Sequence, residues 1–84
     1  ASAFEAMVER FIWLGVPLGK DKHLGAKLVS ASIPPSLLKE WSMNPLVHGK
    51  FIFDYMENQG TLQCLETAKH LYNISSSGTY GHVV

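Results

Sequence analysis

Large apolar residues recur along the start of the chain at three- and four-residue steps: Phe4, Met7, Val8, Phe11 and Leu14. That spacing predicts an amphipathic helix with one core-facing stripe. Ser2, with Glu5 three residues on, has the form of a capping box at its start, and Gly15, Pro17 and Gly19 end it. A second helix is expected from Lys20 or Asp21, an acidic start that suits the helix dipole, with Leu24 and Leu28 inward at a four-residue step. It closes around Ser30-Ala31-Ser32. Pro34-Pro35 cannot lie inside a helix but can open one, so Ser36 to Trp41 reads as a short helix with Leu37, Leu38 and Trp41 turned inward.

Asn44-Pro45 repeats the start signal, because Asn is a preferred N-cap and Pro a preferred first helical residue. Leu46 through Glu57 then carries Leu46, Val47, Phe51, Ile52, Phe53, Tyr55 and Met56, apolar nearly all round, as expected of a central helix. Gly49 inside it costs about 1 kcal/mol against Ala and points to something packed closely there. Gly60 terminates it, and Thr61 caps a last helix with Leu62, Leu65, Ala68 and Tyr72 toward the core and Cys64 and Leu71 beside them. With no sustained strand alternation, the expected fold is all-α, an antiparallel bundle of five to six short helices. It forms one domain over residues 1–74, with a flexible tail over 75–84.

Composition narrows the class without naming a chemistry. The chain has 84 residues, 46% apolar and 17% charged, with seven Lys plus Arg balancing seven Asp plus Glu. So much Phe, Trp, Leu and Ile offsets the entropy of ordering and excludes a disordered chain. Zero net charge argues against nucleic-acid or membrane-surface binding driven by cationic excess. The single cysteine, Cys64, excludes an intramolecular disulfide framework and suits a reducing, cytoplasmic setting. No apolar run is long enough to insert across a bilayer.

Catalytic and metal motifs are weak. Cys64 and His70 stand six residues apart on one helix, so their side chains point about 120° apart, and Cys64 reads as a small core residue. His23, His48, His70 and His82 include no His-x3-His pair, and the chain has no Cys-x2-Cys pair, so no metal or cofactor is expected. Gly15 to Lys20 misses the phosphate-loop spacing, and Asp21 places a carboxylate where a phosphate would sit. Asn73-Ile74-Ser75 matches a glycosylation acceptor, a triplet common by chance. A helix-turn-helix over Leu24–Val29 and Pro35–Trp41 is the alternative reading, a small DNA-binding or regulatory module. Its second helix offers one lysine beside a glutamate, which is poor equipment for reading a groove.

From Lys22 to Ile74 the order of residues resembles a death domain, of the branch found at the carboxyl end of netrin receptors and of nuclear factor kappa-B precursors. The resemblance rests on Leu24, Ala26, Lys27 and Leu28; on Trp41, Ser42 and Asn44-Pro45; on Phe51 to Glu57; and on Gly60, Leu62, Leu65 and Ala68 to Leu71. Family members carry Asp-Trp before the second helix, whereas Asp21 here is followed by Lys22-His23, leaving Trp13 or Trp41 for that place. The resemblance implies a non-enzymatic adaptor of intracellular signalling, in apoptosis or pathways of the nuclear factor kappa-B kind. Such an adaptor works by homotypic docking on itself or on other death-domain-like proteins. The basic residues stand early, with Lys20, Lys22 and Lys27, and the acidic ones mostly later. The candidate contacts are therefore Lys20, Asp21 and Lys22, with Lys39 and Glu40, and Asp54 and Glu57 as acidic complements.

Overall fold

The Ser2 hydroxyl accepts the Glu5 amide at 3.0 Å, so the first helix opens at the expected cap. A computed structural model describes residues 1–76 of the chain. Helix α1 (Ala3–Leu14) buries Phe4, Met7 and Val8, with Phe11 packed against them, and closes at Gly15, where the amides of Gly15 and Val16 bond back to the Arg10 carbonyl. Leu14, expected in the core stripe, is 72% exposed. Rotation explains it: at 100° per residue, Phe11 returns to within about 20° of Phe4, whereas Leu14 lies about 80° away.

A 3₁₀ turn at Leu18–Lys20 leads into helix α2 (Gly25–Ser30), which starts later than expected. Leu24 and Leu28 are fully buried. Gly25 lies so close to the 3₁₀ turn that a Cβ there would overlap the Leu18 carbonyl. Helix α3 (Pro35–Met43) begins at the second proline, buries Leu38 and Trp41, and half-buries Leu37.

The expected central helix over Leu46–Glu57 is replaced by a hairpin. Strands β1 (Leu46–Val47) and β2 (Lys50–Phe51) pair antiparallel, Leu46 opposite Phe51 and Val47 opposite Lys50. The two residues between them, His48 and Gly49, have φ of 50° and 82°, the pair of left-handed conformations that a two-residue hairpin turn needs and a helix forbids. Nothing stands within 4 Å of a Cβ built at Gly49, so the glycine serves the turn and not a close contact. Only then does a short α4 (Ile52–Tyr55) follow, its start fixed by the Ile52 amide on the Pro45 carbonyl at 2.7 Å. The Tyr55 hydroxyl donates to the Val47 carbonyl at 3.0 Å and pins the hairpin to α4.

Helix α5 (Thr61–Ser76) buries Cys64, Ala68 and Leu71 at i, i+4 and i+7. Leu62, expected inward, is 75% exposed, because it lies about 160° round the helix from Cys64. The tail expected from Ser75 begins inside α5, and residues 77–84 lie outside the described residues. The start of α1 is fastened to the segment before α5: the Ala3 amide donates to the Gln59 carbonyl at 2.9 Å and the Asn58 amide to the Ala1 carbonyl at 3.0 Å. Phe4 and Phe53 meet edge-to-face, centroids 5.6 Å apart. The result is a mostly helical fold around one core, which Ile33, Ile52 and Met56 complete.

Candidate interaction surface

Asp21, expected as a surface contact, is 1% exposed. Its carboxylate is fully engaged: the Arg10 guanidinium donates Nε to Oδ1 and Nη2 to Oδ2, the latter at 2.9 Å. The amides of Leu24 and Gly25 donate to Oδ2 at 2.9 and 3.2 Å. It therefore does the work of a helix cap, reaching from the 3₁₀ turn to the first amides of α2 while holding α1 by its arginine. The hydrogen bond from Arg10 dominates, and with the two amides it outweighs the penalty of burial, so the Asp21 pKa falls to about 2. The same bond raises the pKa of Arg10.

Lys20 and Lys22 flank this buried carboxylate in sequence and are both exposed, as are Lys39, Glu40, Asp54 and Glu57. Gly19 seats the 3₁₀ turn against α3, since a Cβ there would stand 3.6 Å from Pro35 Cβ. Lys39 follows on the same side of α3, one turn after Pro35. The acidic pair collects where α1 begins. Glu57 accepts the Ala1 amine at 3.1 Å, with Glu5 Oε1 3.9 Å from the same amine, and Asp54 precedes Glu57 by three residues. Since Arg10–Asp21 marks the far part of α1, a helix about 18 Å long, Lys20 and Lys22 stand toward one end of it and Asp54 and Glu57 toward the other. Glu40 belongs to neither group. It accepts from Asn44 Nδ2 at 3.1 Å beside a cleft walled by Leu37, Trp41, Leu46 and Val47.

Two apolar features escaped the sequence reading. Ile12, Trp13 and Leu14 end α1 at 61%, 80% and 72% exposure. Helical rotation could have found Trp13, which lies about 180° from Phe4 and so on the side a surface helix normally keeps polar. The cross-strand pair Leu46 and Phe51 is also exposed, and that required knowing the hairpin. At the rim of the α3 cleft, His48 Nε2 and Ser75 Oγ stand 3.1 Å apart. That contact ties the hairpin tip to α5 in an exposed place. Cys64 is buried, its thiol pKa raised by desolvation, as suits a core residue. Among the described residues no group of three or more His, Cys, Asp or Glu side chains is gathered to hold a metal ion, and His82 lies outside them. No described helix is long and apolar enough to cross a membrane. Compared with protein-family models, curated proteins and solved structures, the chain matches none.

Proposed function

We propose that this chain is a non-enzymatic protein–protein interaction module that docks on further copies of itself or on like domains, in the manner of a death-domain adaptor of intracellular signalling. The observation that carries the reading is the separation of exposed charge along α1, Lys20 and Lys22 toward one end and Asp54 and Glu57 toward the other. A second copy can dock head-to-tail, Lys20 and Lys22 on Asp54 and Glu57, and such a heterologous contact propagates. The output is effective concentration: clustering brings together whatever the docked chains carry.

Reversing the charges tests it. Sedimentation at low salt should show self-association of the unaltered chain, weakened at least tenfold by Lys20→Glu with Lys22→Glu. Asp54→Lys with Glu57→Lys should weaken it equally. Mixing the two variants should restore association, because each now offers the end the other lost. Association indifferent to both reversals would sink the proposal.

A further inference from the structure

We infer that the C-terminal tip of α1 is a membrane-surface contact, in which Ile12, Trp13 and Leu14 enter the headgroup layer of an anionic bilayer while Lys20 and Lys22 meet its charge. The chain from Ile12 through Trp13, Leu14, Gly15 and Val16 to Pro17 carries no polar side chain, and none of these six residues is buried.

Their arrangement decides what can cover them. At 100° per residue, taking Phe4 as the centre of the core stripe, Ile12 lies about 80° to one side, Leu14 about 80° to the other and Trp13 about 180° away. Three sides of the helix end are therefore apolar, and only the side of Phe11 packs on the core. A helix or strand laid along one flank would leave the others in water. A bilayer interface surrounds a tip that enters it end-on, and a burial depth of about 5–10 Å takes in the last turn of a helix and the loop beyond it. Tryptophan is also a side chain that settles at headgroup level, where its ring is in an apolar place and its N–H stays wet.

Charge decides the kind of bilayer. Zero net charge describes the whole chain and not this end of it. Arg10 precedes Leu14 by four residues, and its bonds to Asp21 tie the segment that carries Lys20 and Lys22 to the last turns of α1. Asp21 does not offset the two lysines, because it is 1% exposed and already paired with Arg10. From Phe11 to Lys39 the other charged side chains are Lys27 and Lys39, both exposed, so no exposed carboxylate opposes a negative surface there. Glu9 is exposed but stands about 6 Å back along the helix from Trp13, and Glu5 and Glu57 gather at the opposite end of α1. A short apolar tip binds a bilayer only marginally by itself, and each lysine near an anionic surface adds roughly fivefold, so the two together give weak, reversible attachment.

This contact does not rest on self-association, and a fluorescence titration with vesicles tests it. Trp41 is 2% exposed and already in an apolar place, so a blue shift on adding lipid reports Trp13. Vesicles of phosphatidylcholine with about 30% phosphatidylserine, at about 0.1 M salt, should shift the emission to the blue and carry the 84-residue chain down on centrifugation. Phosphatidylcholine alone should bind it at least tenfold more weakly. Trp13→Ala, at an exposed position that leaves the core intact, should weaken sedimentation with anionic vesicles at least tenfold, and Lys20→Glu with Lys22→Glu should do the same. Trp13→Ala should leave low-salt association through the charged ends unchanged, so the two proposals fail separately. No binding at millimolar lipid, equal binding to both kinds of vesicle, or binding that survives Trp13→Ala overturns the inference. A blue shift that grows with protein concentration in the absence of lipid places a second copy on the tip and overturns it too.

Discussion

Asp21 shows how a single side chain can be misjudged from its type. In sequence it is a carboxylate between two lysines, the usual form of a solvated patch. In the fold its oxygens hold α1 through Arg10 and α2 through the Leu24 and Gly25 amides. The carboxylate has a folded pKa of about 2 against an ordinary value of 3.8. A depressed folded value means that the stabilisation is complete above the unfolded pKa and is lost as pH falls toward the folded one. The difference corresponds to about 2 kcal/mol, a sizeable share of a small domain's stability. Urea midpoints should therefore stay level from pH 7 to about 5 with respect to this group, then fall between about pH 4 and 2. In Asp21→Asn the overall loss should be larger, about 3 kcal/mol at pH 7, because Arg10 loses its charge partner, and this component of the acid-dependent fall should vanish. A variant whose acid limb matches the unaltered chain would deny Asp21 this role.

At the scale of elements, the signals that survived were those in which local chemistry and burial agree. Ser2 and Pro35 open helices where expected, and Leu24, Leu28, Leu38, Trp41, Ala68 and Leu71 are buried where periodicity placed them. Gly60, expected to end a central helix, instead stands past the end of α4, its carbonyl accepting the Cys64 amide at the start of α5. The region 46–57 was misread because an apolar run has no period of its own: Leu46 and Phe51 fit a helix surface and a strand equally well. What decided it was His48-Gly49, a turn signal weaker than Asn-Gly, placed so that Val47 points inward and Tyr55 can reach its carbonyl. The exposure of the candidate contacts was legible only in part, since whether Asp21 or Trp13 faces solvent depends on where neighbouring elements pack. Glycine substitution distinguishes the two readings of 46–57 by sign. In a helix interior Gly49→Ala would stabilise the protein by about 1 kcal/mol. At φ 82° in the hairpin turn it should instead cost about 1 kcal/mol, measured by chemical denaturation. Gly25→Ala should cost more, about 3 kcal/mol, because its Cβ meets backbone that cannot move aside without lifting the 3₁₀ turn from α2.

For the whole molecule, docking of the basic end on the acidic end is heterologous, so it continues beyond two copies. With equal numbers of cationic and anionic side chains, no net repulsion opposes it. Screening shortens from ~30 Å at 0.01 M to ~3 Å at 1 M, which removes contacts between exposed charges. Light scattering across that range should show particles larger than dimers at low salt that dissociate as salt rises. With Lys20→Glu and Lys22→Glu those large particles should be absent at every salt concentration, because the basic end is gone. A particle size that is constant across salt in the unaltered chain would sink the charged contact.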